Sequence, residues 1–166
     1  MRQSAEAGGR NCAARAHQTL AVALCNLDFF KRINNRFGHS TGDEVLRRLS
    51  AILRAHCCGT DVAARYGSEE FCVAFIEADA AVASRLSDTL RCAVAAHGWT
   101  RVHPQFAVPL LIGTADDAHL DTHEQLLAAA DRHLYLYLYR AKHEGKNRVC
   151  WRGIAHPANH PGATAA

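Results

Sequence analysis

The run LAVALCNL, residues 20–27, constrains the fold more than any other stretch of this chain. It is short, apolar but for Asn26, and followed at once by charge, as a buried central strand would be. Alternation places Leu20, Val22, Leu24, Asn26 and Asp28 toward one side and Leu27 toward the other. Such a strand needs neighbours and a cover. Residues 29–37 and 41–56 read as helices broken at Gly38, the second with Val45, Leu46, Leu49, Ile52 and Leu53 along one face. Residues 62–66 and 71–76 are strand-like on either side of Gly67-Ser68-Glu69-Glu70, which makes a hairpin with a polar tip. Residues 78–97 repeat Val82, Leu86, Leu90 and Val94 at helical spacing, and 106–112 are strand-like, with Pro109 placing a gap in any hydrogen-bond ladder. A helix over 123–143 carries Leu127, Ala130, Leu134, Leu138 and Ala141, and Gly145 ends it before a last strand at 148–151. The order β-α-α-β-β-α-β-α-β predicts an α+β fold: a central, mainly antiparallel sheet with helices covering one face. Residues 1–19 and 153–166 read as tails, leaving one domain over 20–152.

Composition narrows the function classes. With 49% hydrophobic residues in a chain of 166, there is enough apolar material for one core and no case for disorder. A net charge of +3 is too mild to argue for a nucleic-acid binder, though local positive charge would suit a small anionic ligand. No window is apolar for long enough to span a membrane, and the start lacks a compact signal-peptide core, so the expected location is cytoplasmic. The seven cysteines include no C-x-x-C pair and fit neither a disulfide framework nor a zinc ribbon; Cys25 and Cys72 lie in apolar runs and read as reduced core thiols.

Chemistry concentrates at two strand ends. Asp28 follows the first strand, and Glu69 with Glu70 sits at the hairpin tip; if those strands are neighbours, the carboxylates converge at one sheet edge and offer hard oxygen ligands to Mg²⁺. Solvated turn carboxylates are the ordinary alternative. Lys31 lies on the first turn of the following helix, where free N–H groups receive phosphate oxygens, and Lys142 and Lys146 flank Gly145 at the far end of the chain. The last two serve equally well as complements to a helix dipole.

The segments NLDFFKRINNRFGHSTGDEVLRRL (26–49), DVAARYGSEEF (61–71), AAADRHLY (128–135) and AKHEGKNRV (141–149) closely resemble the GGDEF family of diguanylate cyclases, in the family's order. The resemblance implies a fold like the palm of adenylyl cyclases and polymerases. It also implies condensation of two GTP molecules into cyclic di-GMP across a homodimer, with divalent cations, Mg²⁺ or Mn²⁺, at each GTP. Carried over by position, Asn34 and Asp43 would read the guanine base, Leu46 would lie against it and His39 near the sugar. Lys31, Lys142 and Lys146 would meet the phosphates. Glu69 would be a metal ligand and would assist deprotonation of the attacking hydroxyl, with Glu70 beside it, and Leu27 would offer its carbonyl to a metal.

Several positions depart from the family pattern. Asn26 stands where the family has a metal-binding aspartate, which removes one negative charge from the ligand set. Ser68 replaces the second glycine of the signature loop and is expected to strain it. Asn35 replaces an aspartate, and Lys146 an arginine. LYLYLY (134–139) reads as an insertion of about one helical turn, which keeps the buried face but shifts the pocket end by about 6 Å, with a tyrosine pushed toward solvent. The family's R-x-x-D feedback motif retains Asp61 but has Cys58 in place of the arginine, so product feedback there is not expected. Residues 1–19 lack the helix and D-x-L-T turn that relay an input signal in the family, so no sensor linkage is expected in that segment. Three readings fit: a GTP-binding domain with weakened or lost catalysis, which leads; a fully active cyclase; and a non-catalytic module that docks a signalling protein.

Overall fold

A computed structural model describes residues 19–104, 106–118, 120–144, 149–151 and 154–156, with side chains described as far as residue 136. The first strand, β1 (Leu20–Leu27), lies inside the sheet and is hydrogen-bonded on both edges. On one edge it pairs antiparallel with β3 (Glu70–Ile76), so that Asn26 stands opposite Glu70. On the other it pairs antiparallel with β4 (Leu110–Asp116), Leu27 opposite Leu110. Strand β2 (Val62–Arg65) adds to the outer edge of β3. Beyond β4 come β5 (Val149–Trp151), parallel to it, and β6 (Ile154–His156), giving the order β2-β3-β1-β4-β5-β6. One parallel pair in an otherwise antiparallel sheet makes this the expected α+β class.

The helices lie on both faces of the sheet, not on one as the sequence suggests. Helices α1 (Phe30–Phe37), α2 (His39–Ala55) and α3 (Ala80–Ala96) pack Phe30, Ile33, Leu49, Leu53, Leu90 and Val94 against Ala23, Cys25, Phe71, Val73, Phe75 and Ile112. Helix α4 (His123–Glu144) covers the opposite face, with Leu126, Ala130 and Leu134 against Val22, Leu24, Leu111 and Ala115. The reason is legible in β1 itself: both of its alternating sets are apolar, and a strand buried on both sides needs two covers. The β4–α4–β5 crossover supplies the second, because parallel neighbours cannot be joined by a tight turn.

The fourth strand begins four positions later than its expected start at residue 106. Pro109 precedes it, and its carbonyl accepts from the Asp28 N–H at 3.2 Å, so the chain enters the sheet only where full ladder pairing becomes possible. The strand also runs on to Asp116, past its expected end at residue 112, and a Cβ at Gly113 within it would stand 2.4 Å from the Ala130 carbonyl oxygen and from the Leu134 amide nitrogen. Helix α4 therefore rests on β4 backbone to backbone, and His133 Nδ1 bonds the Thr114 carbonyl at 2.6 Å. It runs unbroken through 134–139, with Leu134 buried and Tyr135 67% exposed, while the side chains of Tyr137, Leu138 and Tyr139 fall outside the description. Strand β6 lies within the segment whose Gly- and Pro-rich composition suggests a tail. Residues 1–18, and with them the expectation about sensor linkage, fall outside the described residues.

Candidate functional site

The β1–β3 register brings two of the expected residues together. Asn26 Nδ2 donates to Glu70 Oε1 at 3.4 Å, a long hydrogen bond across the strand pair. The Leu27 N–H donates to the Glu69 carbonyl at 3.0 Å, extending the ladder one step past β3. The hairpin tip closes on Glu70, whose carbonyl accepts from the Tyr66 and Gly67 amides at 2.8 and 3.1 Å. Arg65 holds the tip from outside: its Nε donates to the Gly67 carbonyl at 2.9 Å and its Nη2 to the Ser68 carbonyl at 2.7 Å. A Cβ at Gly67 would meet Glu70 Oε2 at 2.5 Å and would have to push that carboxylate aside. Ser68 is not strained. Positive φ outside glycine occurs only at Phe29 and Glu77 among the described residues, so Ser68 tolerates its Cβ, and its hydroxyl donates to Glu69 Oε2 at 2.9 Å.

A second group forms where α1 meets α2. Gly38, at φ 86°, ends α1 through its N–H to the Asn34 carbonyl at 2.9 Å and opens α2 in a backbone conformation that favours glycine. The reversal lays Asn34 on Gly42 so closely that a Cβ at Gly42 would lie 1.9 Å from Asn34 Oδ1. That oxygen is buried without a hydrogen-bond partner, and the N–H₂ is the donor part of the same amide. Asp43 follows on the exposed side, and a cleft of about 290 Å³ opens between α2 and the β2–β3 hairpin, lined by Asp43, Leu46, Arg54, Arg65 and Phe71 among others. Leu46 is only 6% exposed, so it floors this cleft as part of the core. Lys31 on α1 and His39 at the start of α2 are both exposed. Gly42→Ala is expected to displace the Asn34 side chain and leave the fold standing, because the obstructing atom is the end of a side chain. If the cleft takes the GTP that the resemblance implies, its affinity should fall while the far-ultraviolet circular dichroism spectrum stays unchanged.

Arg65 is the residue that sequence reasoning passes over. It lines the cleft and clamps the signature loop, joining the two groups; its signal was an arginine placed directly before a Tyr-Gly-Ser turn. Gly42 was also missed, though a glycine inside a helical pattern marks a close approach. Lys142 lies in the last turn of α4, its side chain outside the description, and Lys146 lies outside the described residues. Asp61 is occupied at both oxygens by backbone, accepting from the Cys58 N–H at 2.8 Å and the Ile76 N–H at 3.2 Å. Its carboxylate therefore caps a turn, and calorimetry with cyclic di-GMP is expected to show no binding that Asp61→Ala abolishes. Burial pushes the Cys25 thiol far up and that of Cys72 in the same direction, so both stay protonated core groups.

The donor set does not fit a pair of divalent cations. One of its oxygens comes from an amide, both glutamates already accept side-chain hydrogen bonds, and no three His, Cys, Asp or Glu side chains converge among the described residues.

A family model described as diguanylate cyclase, GGDEF domain, matches residues 1–148. Diguanylate cyclase A of Treponema denticola is 31% identical over 140 residues, covering 84% of this chain and 37% of its own length. The response regulator PleD of Caulobacter vibrioides is 37% identical over 133 residues, covering 78% of this chain and 28% of its own. The chain thus spans well under half the length of these curated relatives. Among solved structures, the active GGEEF domain of a diguanylate cyclase from Vibrio cholerae superposes with a TM-score of 0.71 at 29% identity, covering 81% of this chain and 83% of that one.

Proposed function

Because the chain belongs to the GGDEF-domain family of diguanylate cyclases, we propose that it binds GTP in the cleft between α2 and the signature hairpin and forms cyclic di-GMP weakly or not at all. The observation that carries the reading is Asn34 seated on Gly42 beside Asp43. An amide N–H₂ meets an acceptor such as guanine N3, and a carboxylate meets the N1–H and exocyclic N–H₂ edge, a donor pattern that adenine lacks. Leu46 and Phe71 give the base an apolar floor. Lys31, on the first turn of α1, is the phosphate contact, assisted by the opening N–H groups of that helix.

Condensation would require two such chains to meet as a homodimer, each presenting one GTP. Glu69 is the group nearest in kind to what deprotonation of a 3′-hydroxyl requires, with Glu70 beside it. Here both carboxylates are engaged by hydrogen bonds that Mg²⁺ or Mn²⁺ would have to displace. That is the support for weakened catalysis.

Titration with GTP and ATP tests the reading. GTP is expected to bind at least about tenfold more tightly, the equivalent of about 1.4 kcal/mol for the base-reading bonds. Equal affinities, or no binding of either at millimolar concentration, would refute it. The second reading, a protein-docking module, is favoured by Tyr135 and Leu136, 67% and 43% exposed on α4. It gains if neither nucleotide binds.

A further inference from the structure

The two residues that depart from the family pattern at the strand end do one thing in common. Asn26 donates to Glu70 Oε1, and Ser68 donates to Glu69 Oε2 at 2.9 Å. Each of the two residues donates a hydrogen bond to one of the two adjacent carboxylates of the loop. We infer that Asn26 and Ser68 take over the work of a divalent cation, holding Glu69 and Glu70 in place, so that GTP binding depends little on divalent metal.

The register gives the physical reason. Asn26 and Glu70 are direct partners across an antiparallel pair, and their side-chain ends stand 3.4 Å apart. With a carboxylate at position 26, two anions would face each other at that separation, and like charges directly opposite destabilise a strand pair. A cation between the two carboxylates would relieve that repulsion. An amide removes the conflict, because its N–H₂ faces the Glu70 oxygen as a donor. The loop repeats the device one residue earlier. Ser68 has an ordinary backbone conformation, so its hydroxyl reaches Glu69 without strain. A cation entering here would have to displace both hydrogen bonds and would gain one charge fewer in return. The inference deepens the GTP-binding reading and rests on it only for the effect on nucleotide affinity.

The test begins on the nucleotide-free protein, with Mn²⁺ as the probe. Paramagnetic resonance of free Mn²⁺ and thermal melting with Mn²⁺ or EDTA are run on the wild type, Asn26→Asp and Asn26→Asp/Ser68→Gly. The wild type is expected to bind no Mn²⁺ at about 1 mM and to melt at the same temperature in both buffers, since a ligand stabilises only what it binds. The Asn26→Asp chain should melt lower in EDTA and recover with Mn²⁺, and the double variant should bind Mn²⁺ at least about tenfold more tightly than the wild type. Tight Mn²⁺ binding by the wild type overturns the inference, and does so even if the variants fail to fold. So does an Asn26→Asp chain indifferent to Mn²⁺. In a second arm, the wild-type affinity for GTP should change less than about threefold between Mg²⁺ and EDTA, whereas a change above about tenfold would overturn the inference. Absence of GTP binding in both buffers refutes the GTP reading instead, while the Mn²⁺ measurements still decide the inference.

Discussion

Asn26→Asp is expected to raise cyclic di-GMP formation with Mg²⁺ by about tenfold or more over the wild type, the scale on which a missing metal ligand is felt. The new carboxylate would stand opposite Glu70, where the asparagine now donates a hydrogen bond. Two carboxylates at that separation become a cation site, and the charge that returns is the one the resemblance to the family shows to be missing. Ser68→Gly added to it should raise turnover further by freeing Glu69 from the hydroxyl, since relief of loop strain is not available as a cause. Product measured by chromatography after incubation with GTP separates the outcomes. Equal turnover by the wild type and Asn26→Asp would show that the asparagine does not limit the reaction. High wild-type turnover would move the reading to an active cyclase.

Much of this site is legible in sequence because its parts are local. The apolar octet 20–27, the Gly38 break and the Gly67-Ser68 tip each fix backbone geometry within a few residues, and β1 falls at its expected limits. Helix α2 begins two residues before its expected start because Gly38 adopts φ 86° and lets His39 enter the helix directly. What sequence does not yield depends on partners distant in the chain. The four-residue shift of β4 turns on the Asp28 N–H reaching Pro109 and on Gly113 lying under α4, contacts with no local pattern. The donors to Glu69 and Glu70 are of the same kind. Asn26 reads in sequence only as a lost charge and Ser68 only as an added Cβ, and it takes the β1–β3 register and the loop geometry to show that each gives a hydrogen bond. Arg65 escapes notice because its charge is spent on two backbone carbonyls within its own turn, where a surface arginine would look the same.

Gly113→Ala is expected to produce the largest loss of stability of any alanine substitution among the described glycines. Its Cβ would lie 2.4 Å from the Ala130 carbonyl oxygen, 2.4 Å from the Leu134 nitrogen and 2.8 Å from the Leu134 Cα, all of them helix backbone. A side chain can rotate away from such an intrusion, as Asn34 can at Gly42, but a helix held by its own hydrogen bonds must shift as a body. Helix α4 would then lift from β4, loosening Leu126, Ala130 and Leu134 from Val22, Leu24 and Leu111 and breaking the bond from His133 to the Thr114 carbonyl. Overpacking a core costs about 1–3 kcal/mol where side chains give way, so a clash against backbone should reach about 3 kcal/mol or more. For a chain of this size that is a fall in melting temperature of about 6–12 °C. Gly59→Ala is the control, because nothing lies within 4 Å of a Cβ there and an exposed position of this kind changes stability by about 0.5 kcal/mol at most. If Gly113→Ala melts with the control, α4 does not rest on β4 at this glycine. The position of its last turn, and of Lys142 within it, relative to Asn26 and Glu70 would then have to be determined afresh.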